Sequence, residues 1–526
     1  MSPRPHSKTR LATLVTVVAL SLGCEDAAPV ATLDAALLDP RDAADAPTTG
    51  DLAVAPDALD ASVMGDAPAP SDVALDVRSD ASLDAVVTDA ATWDAGPAPC
   101  AEVDRFAPLF GAQIARWTAQ DALAPWAPGA VVFVGSSSIR RWEGLSRDFA
   151  DYAPIQRGIG GAQLGEVAGF ARELVVRYAP RAVVVYAGTN DLALDVAPSV
   201  VLDRFRCLRH RIGAGLGWTT PVLFVGVVPN PARWATWSTA RAFNASVAAL
   251  AADDPGLVYV DEAAPFLATG SPPDASLFVS DGLHLTERGY ALWSAPIRAA
   301  LEAVARPLPH ASAPSPALPV GARVLVDLGP SNPEDGEVTP SPDYMGRRWN
   351  NWHALTAPGD ALAGERLANL VTTTGAPTGV DLVIAGGFLA NGRRSGGLLW
   401  PDAARLGSLA VGSATGDFFY TQDADAPGAL ALRGLDPSRT YALRLFAARD
   451  ASEVRVTRYT VHGAATASVT LQTSGPGAGR SGATTNDDDV AEVRGARPDA
   501  WGTLFVDVAI ERGAFAYLSA FELIAE

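Results

Sequence analysis

The sequence predicts an α/β domain built on one parallel sheet, followed by an antiparallel β-sandwich. Between residues 100 and 305, short apolar runs rich in β-branched residues alternate with segments whose apolar residues recur every three or four positions. Residues 306–321 are rich in proline, and residues 322–526 read as short strands separated by Gly, Pro, Asp and Asn turns. These observations predict two folded domains joined by a linker.

The first 24 residues have the pattern of a secretion signal. Three basic residues precede an apolar stretch, residues 11–23, that is too short to span a bilayer comfortably. The segment ends in LSLGC, which resembles the bacterial lipoprotein box. The resemblance implies that Cys24 becomes the lipidated first residue of the mature protein, with plain secretion as the alternative. We expect an exported protein, either lipid-anchored in a bacterial cell envelope or extracellular.

Residues 25–99 repeat a few units, LDA, SDA, TDA and DAP, with many prolines and almost no aromatic residues. Such a segment cannot bury enough apolar surface to offset its ordering entropy, so we expect a disordered tether. The tether carries most of the chain's net charge of −19. The acidity therefore says little about the partners of the folded domains, and the absence of a basic stripe argues against nucleic acid.

The α/β prediction for residues 100–305 rests on four strands and three helices. The apolar runs are continuous, as strands covered on both faces should be, and they occupy residues 130–136, 181–188, 221–228 and 256–261. Helical spacing occupies residues 164–178, 201–212 and 240–251. This order predicts a parallel sheet with helices on both sides, which binds ligands at the carboxyl ends of its strands.

Two cysteines, Cys100 and Cys207, remain in the folded part of the chain. In an exported protein an even pair suggests a disulfide, which would join the start of the first domain to a later helix. Two separate buried thiols are the alternative.

Ser137 lies just past the first predicted strand, in the run VGSSS. A serine hydroxyl attacks a carbonyl only if a base accepts its proton and donors stabilise the oxyanion. Asp281 and His284 stand three residues apart near the end of the domain, a spacing that lets a carboxylate orient an imidazole. The other histidine of this domain, His210, lies among arginines on a predicted helix.

Two further segments supply candidate donors. Gly161 is predicted in a turn before a helix, where backbone can approach a reacting group, and Asn190 follows a strand and offers two amide hydrogens. Taken singly, each of these residues also fits a structural role: a helix cap, a turn, an Asx-turn or a packed ring.

Together the four blocks resemble the SGNH hydrolases, the GDSL-type esterases and lipases. Ser137 in FVGSSS, Gly161 in RGIGG, Asn190 in GTND and Asp281 with His284 in DGLH occur in the family's order, and the similarity covers roughly residues 114–301. The resemblance implies a flavodoxin-like sheet, with Ser137 as nucleophile, His284 as general base and Asp281 as its orienting carboxylate. It also implies an oxyanion hole made of the Ser137 and Gly161 backbone N–H groups and the Asn190 side chain.

The chain departs from the family's Gly-Asp-Ser block at one position, because Ser136 replaces the Asp. This puts the hydrogen bonding of the nucleophile loop in doubt and leaves the nucleophile at Ser137. We expect Ser136 and Ser138 to support the loop. The implied chemistry requires no metal and no cofactor.

The second domain loosely resembles the galactose-binding-like sandwiches found beside secreted carbohydrate enzymes. Trp349 and Trp352 could stack on sugar rings if exposed, although closure of the sandwich core is the favoured interpretation. Residues 485–490, TNDDDV, could bind calcium, but a solvated turn is favoured.

Three functions fit the sequence. The first is an esterase that removes a short acyl group, most plausibly acetyl, from a polysaccharide or glycoconjugate. Lipid ester hydrolysis is the alternative within that class, and a non-catalytic surface binding or adhesion protein is the alternative of another class. For an esterase, we expect the β-sandwich to affect the choice of substrate more than turnover.

Overall fold

The computed structural model describes residues 100–105, 109–311, 317–330, 335–354, 360–479 and 483–526. The predicted signal, the lipidation residue Cys24 and the predicted tether, residues 25–99, lie outside the described residues.

A five-stranded parallel sheet forms the centre of the first domain. Its strands are β1 Val131–Gly135, β2 Ile155–Gly158, β3 Ala182–Tyr186, β4 Val222–Val225 and β5 Leu257–Val260. The strand order is β2-β1-β3-β4-β5, and every neighbouring pair is parallel. The predicted α/β fold is confirmed, and it has one strand, β2, that the apolar runs did not reveal.

Helices cover both faces of this sheet. They are α1 Gly111–Leu123, α2 Ser137–Arg140, α3 Leu145–Asp148, α4 Leu164–Gly169, α5 Ala171–Leu174, α6 Thr189–Ala193, α7 Pro198–Leu216, α8 Trp237–Asp253, α9 Ala263–Leu267 and α10 Glu287–Val304. Val132 and Val134 of β1 belong to one apolar cluster, whereas Val131 and Phe133 belong to another. Because both faces of the strand are buried, its sequence is apolar at every position.

The segment 164–178 is divided, although its periodicity predicts one helix. It forms α4, α5 and a 3₁₀ turn at Val176–Tyr178. The carbonyls of Ala168 and Gly169, which a continuous helix would pair with amides four residues later, accept hydrogen bonds from Arg211 at 2.9 and 3.1 Å. The arginine on α7 therefore substitutes for backbone donors at the break.

Of the two alternatives for the cysteines, the structure has the disulfide. Cys100 and Cys207 are bonded, and they lie 107 positions apart in the sequence. The bond joins the start of the described chain to the middle of α7, and both cysteines lie within the apolar cluster of that face.

The β-rich domain follows in residues 317–526. Its strands are β6 Arg323–Pro330, β7 Asn350–Ala354, β8 Arg366–Leu367, β9 Asp381–Gly386, β10 Leu389–Asn391, β11 Phe418–Thr421, β12 Gly428–Arg433, β13 Tyr441–Phe446, β14 Arg455–His462, β15 Thr466–Ala478, β16 Ala483–Thr485, β17 Ala491–Ala496, β18 Thr503–Arg512, β19 Ala516–Leu518 and β20 Ala520–Ala525. Two short helices, α11 Ala403–Leu406 and α12 Gly412–Thr415, interrupt them.

These strands form sheets of seven, five and three strands, ordered β16-β15-β14-β18-β12-β9-β8, β17-β13-β20-β6-β7 and β10-β11-β19. Apolar residues of the seven- and five-stranded sheets meet in one core. Pairing is antiparallel except between β6 and β7, which run parallel. Trp349 and Trp352 are each only 3% exposed and pack in the core, so the interpretation that they close the core is confirmed.

The β-rich domain packs against the α/β domain through buried polar contacts. Arg157 of β2 donates to the carbonyl of Gly364 at 2.9 Å, and Arg116 of α1 pairs with Glu365, whose side chain is fully buried. The guanidinium of Arg366 lies 4.3 Å from the centre of the Trp126 ring. The two domains therefore share an interface that contains buried ion pairs and hydrogen bonds.

Among the residues that the structure describes, no helix combines the length and hydropathy that a bilayer crossing requires. Within the same residues, no group of three His, Cys, Asp or Glu side chains is arranged to hold a metal ion. The expectation of a solvated turn at residues 485–490 is wrong, because Asn486 and Asp488 are buried. Asn486 accepts the amide of Asp489 at 3.0 Å, and Asp488 lies 3.4 Å from Arg405.

Candidate active site

The structure places Ser137 at the first residue of α2, directly after β1. The turn between them requires Gly135, whose φ is 154° and where a Cβ would lie 1.9 Å from the carbonyl oxygen of Tyr186 on β3. The chain therefore leaves the sheet in close contact with the next strand. Ser137 lies at the carboxyl edge of the sheet, where ligands of such folds bind.

His284 lies between Ser137 and Asp281. Its Nε2 is 2.8 Å from the Ser137 Oγ, and its Nδ1 is 2.6 Å from the Asp281 Oδ2. The other carboxylate oxygen, Oδ1, accepts the backbone amides of Leu283 and His284 at 2.7 and 2.9 Å. The imidazole is held at both nitrogens, and the carboxylate is held at both oxygens.

Asp281 keeps its negative charge in this setting. Burial alone would raise the pKa of the Asp281 carboxyl, but the hydrogen bond and charge of His284, with the two backbone amides, lower that pKa well below its usual range. A carboxylate that stays ionised can stabilise the imidazolium formed when His284 accepts the serine proton.

Two of the candidate oxyanion donors follow β2 and β3, Gly161 in a turn and Asn190 in a short helix. Gly161 has a φ of 72°, the left-handed conformation that glycine adopts without strain, and Asn190 lies in α6. The Asn190 Nδ2 donates to the carbonyl of Ala162 at 3.0 Å, and its Oδ1 accepts from Arg233 at 3.1 Å. An amide nitrogen carries two hydrogens, so this arrangement fixes the side chain and leaves one donor for an oxyanion.

A buried network that the sequence analysis missed fixes the loop after Gly161. Asp191, which is fully buried, accepts the amide of Leu164 at 2.9 Å and pairs with Arg204 at 2.7 Å. Arg204 also donates to the side-chain carbonyl of Gln163 at 3.0 Å. Asp191 directly follows Asn190 in the motif GTND, so this motif could have indicated both residues, but the sequence analysis assigned a role only to the asparagine.

Residues 126–292 match the model of the GDSL-like lipase/acylhydrolase family. This stretch, which we call the GDSL-like segment, contains every residue of the relay and both donor loops. A search of curated proteins found no match.

Among solved structures, the chain is similar to a GDSL-like lipase from Bacteroides thetaiotaomicron, with 23% identity, 36% of this chain and 98% of that chain covered, and a TM-score of 0.33. A lipase/acylhydrolase from Enterococcus faecalis has 18% identity, coverage of 33% and 96%, and a TM-score of 0.29. A carbohydrate esterase family 3 protein from Talaromyces cellulolyticus has 17% identity, coverage of 33% and 97%, and a TM-score of 0.28.

The two serines adjacent to Ser137 and the other histidine of the GDSL-like segment have different surroundings. The Ser136 hydroxyl is buried and has no hydrogen-bond partner among the described residues, while the Ser138 carbonyl accepts from Tyr290 at 2.8 Å. His210 lies on α7 with its ring edge-on to Trp218 at 5.6 Å. Of these side chains, the structure brings only Ser137 to His284.

Glu262 is a buried carboxyl at the carboxyl end of β5, outside the relay. Its side chain is fully buried, and neither carboxyl oxygen has a hydrogen-bond partner among the described residues. Burial raises the pKa of Glu262 to about 9, and the charge of Asp261 acts in the same direction. The side chain is therefore protonated in the folded protein at neutral pH.

We expect Glu262→Gln to change how stability depends on pH. A carboxyl that binds its proton more tightly in the folded state contributes stability at low pH that is lost as the pH rises, by about 1.4 kcal/mol per unit between the unfolded and folded pKa values. Glutamine does not titrate, so from pH 6 to pH 8 the variant should gain about 3 kcal/mol relative to the wild type. Urea unfolding of both proteins at the two pH values measures the free energies of unfolding. If the variant and the wild type differ in this free energy by the same amount at pH 6 and at pH 8, Glu262 is ionised in the folded protein.

Proposed function

We propose that the protein is a serine esterase that removes short acyl groups, acetyl above all, from a polysaccharide or glycoconjugate. The observation that carries the proposal is the continuous relay from the Ser137 hydroxyl through His284 to Asp281, with 2.8 and 2.6 Å separations. A serine, a base and an orienting carboxylate in contact form the arrangement that Ser-His-Asp hydrolases use for acyl transfer to water.

The reaction proceeds in two halves. His284 Nε2 takes the proton as the Ser137 Oγ attacks the ester carbonyl, and the Ser137 and Gly161 amides with Asn190 Nδ2 stabilise the oxyanion. Collapse breaks the bond to the alcohol, which leaves with the proton from His284. Water then attacks the acyl-serine with His284 again as base, and the second collapse releases the acid and restores the Ser137 hydroxyl.

One structural feature supports a sugar-containing alcohol. On the β-rich domain a groove combines aromatic rings, including those of Tyr420 and Phe515, with the amides and guanidinium groups of its other lining residues. Aromatic faces beside polar donors suit the two kinds of surface that a sugar ring presents.

The experiment is a comparison of substrates. The purified protein is assayed with p-nitrophenyl esters of increasing acyl length, and then with acetylated xylan and pectin. The proposal predicts the highest kcat/KM with the acetate and release of acetate from a polymer. Preference for long acyl chains would instead indicate a lipid ester hydrolase, and no turnover of any ester would favour a non-catalytic binding protein.

We also propose that the enzyme is exported and anchored through Cys24. Cells that express the protein should incorporate radioactive palmitate into it, and Cys24→Ala should abolish the label because the acylated thiol is lost. Secretion without an anchor would leave both proteins unlabelled and in the medium.

A further inference from the structure

One turn of the β-rich domain, residues 421–426, contacts the catalytic loops of the GDSL-like segment. The Asp423 Oδ2 accepts a hydrogen bond from the Arg141 Nη2 at 3.1 Å. Asp425 of the same turn accepts the backbone amide of Ser280, the residue before Asp281, at 3.4 Å. The turn therefore reaches both the loop of the nucleophile and the loop of the base.

Arg141 connects this turn to the catalytic carboxylate. Its side chain is only 6% exposed, and its Nη1 lies 3.9 Å from the Asp281 Oδ2, the same oxygen that contacts His284. The backbone amide of Arg141 donates to the carbonyl of Ser137 at 2.7 Å. The guanidinium thus lies between two carboxylates, one catalytic and one from the other domain.

Hydrogen bonds within residues 421–426 fix the conformation of this turn independently of Arg141. The Thr421 hydroxyl donates to the carbonyl of Ala426 at 3.1 Å, and the amide of Asp425 donates to the Asp423 Oδ1 at 2.9 Å. With Oδ1 bound inside the turn, Oδ2 faces the guanidinium. A carboxylate held in this way anchors one nitrogen of the guanidinium through a charge-assisted hydrogen bond.

We propose that Asp423 is a positioning residue of the active site, which holds Arg141 against Asp281 so that the geometry and charge of the catalytic relay depend on docking of the β-rich domain. The proposal rests on the proposed esterase function. It revises the expectation from the sequence that the second domain affects the choice of substrate more than turnover.

The position of the Arg141 guanidinium affects the electrostatic interaction between Asp281 and His284. The Asp281 side chain is 38% exposed, so neighbouring charges and hydrogen bonds restrict its rotation where burial does not. Arg141 offsets part of the negative charge that Asp281 directs at His284, and Asp423 determines how close the cation stays. The charged and titratable groups around Arg141 and the relay include Asp281, His284, Asp423, Asp425, Glu143, Tyr186 and Tyr290.

The test compares two Asp→Asn variants of the full chain. Asp423→Asn removes the charge that holds Arg141. Asp381→Asn is the matched control, because Asp381 also pairs with a buried interface arginine, Arg366, at 2.8 Å and has nearly the same exposure, 25% against 27%. Hydrolysis of p-nitrophenyl acetate gives kcat and KM separately, and thermal unfolding monitors the fold.

For Asp423→Asn we expect kcat to fall about tenfold with KM within about twofold, since a geometric fault in the relay weakens transition-state stabilisation more than binding. Asp423→Glu should recover part of kcat. Asp381→Asn should leave kcat unchanged.

Two further proteins, the Arg141→Gln variant and the double variant that combines Asp423→Asn with Arg141→Gln, complete a double-mutant cycle. If Asp423 acts through Arg141, the double variant should be no slower than Arg141→Gln alone. Wild-type kcat in Asp423→Asn, an equal loss in Asp381→Asn, or additive losses in the double variant would each overturn the proposal. A wild-type protein that neither turns over esters nor reacts with a fluorophosphonate would instead overturn the esterase function and, with it, this inference.

Discussion

Replacing Ser137 by alanine is expected to lower kcat for ester hydrolysis by about 10⁶-fold while leaving the protein folded. The variant lacks the oxygen that would form the acyl bond, although it keeps the backbone N–H of residue 137 and the donors at Gly161 and Asn190. His284→Ala should have a comparable effect, because no other base contacts the Ser137 hydroxyl among the described residues. Steady-state assays with p-nitrophenyl acetate measure both losses.

Ser136→Ala is the matched control, since it removes a hydroxyl from the adjacent residue. The Ser136 Oγ has no partner among the described residues, so its loss should cost far less activity. A large loss in Ser136→Ala combined with an active Ser137→Ala would show that the nucleophile is Ser136.

Arg157→Met is expected to lower the free energy of unfolding by about 3–5 kcal/mol, because it leaves the buried carboxylate of Asp121 without its cation. The Arg157 side chain is fully buried and donates to both Asp121 oxygens at 3.1 and 2.9 Å. It also donates to Tyr178 at 2.7 Å and to the carbonyl of Gly364 in the β-rich domain. Methionine fills much of the volume and restores none of these bonds.

Arg206→Met provides the comparison, since Arg206 pairs with Asp203 on the surface of α7 with both side chains about half exposed. Exposed pairs contribute little, so the change should stay within about 0.5 kcal/mol. Urea unfolding monitored by tryptophan fluorescence measures both variants. Equal effects at the two sites would contradict a buried structural role for Arg157.

Arg157 also explains why one strand was not found in the sequence. Four strands of the parallel sheet are continuous apolar runs, whereas β2 reads Ile-Gln-Arg-Gly. Gln156 donates to the carbonyl of Ile139 at 2.6 Å, and the Arg157 guanidinium finds its partners in α1 and in the β-rich domain. A buried strand whose polar groups are satisfied by distant segments leaves no hydropathy signal.

Some residues of the candidate site could also be predicted from the sequence, and others could not. Ser137, Gly161, Asn190, Asp281 and His284 could be selected from the sequence because each lies in a short motif at the end of a predicted element. The contact between Arg141 and Asp423 joins residues 282 positions apart in two different domains. No local pattern around either residue indicates the other, so only the packed structure reveals the contact.

The most direct test of the relay is covalent labelling of the nucleophile. The native protein is treated with a fluorophosphonate, digested with trypsin, and the peptide 117–140, which contains all three serines of the cluster, is fragmented in a mass spectrometer. The account predicts one adduct, on the Oγ of Ser137, and a greatly reduced rate of labelling in His284→Ala. An adduct on Ser136 or Ser138, or none on this peptide while the ester is hydrolysed, would contradict the assignment of Ser137 as the nucleophile.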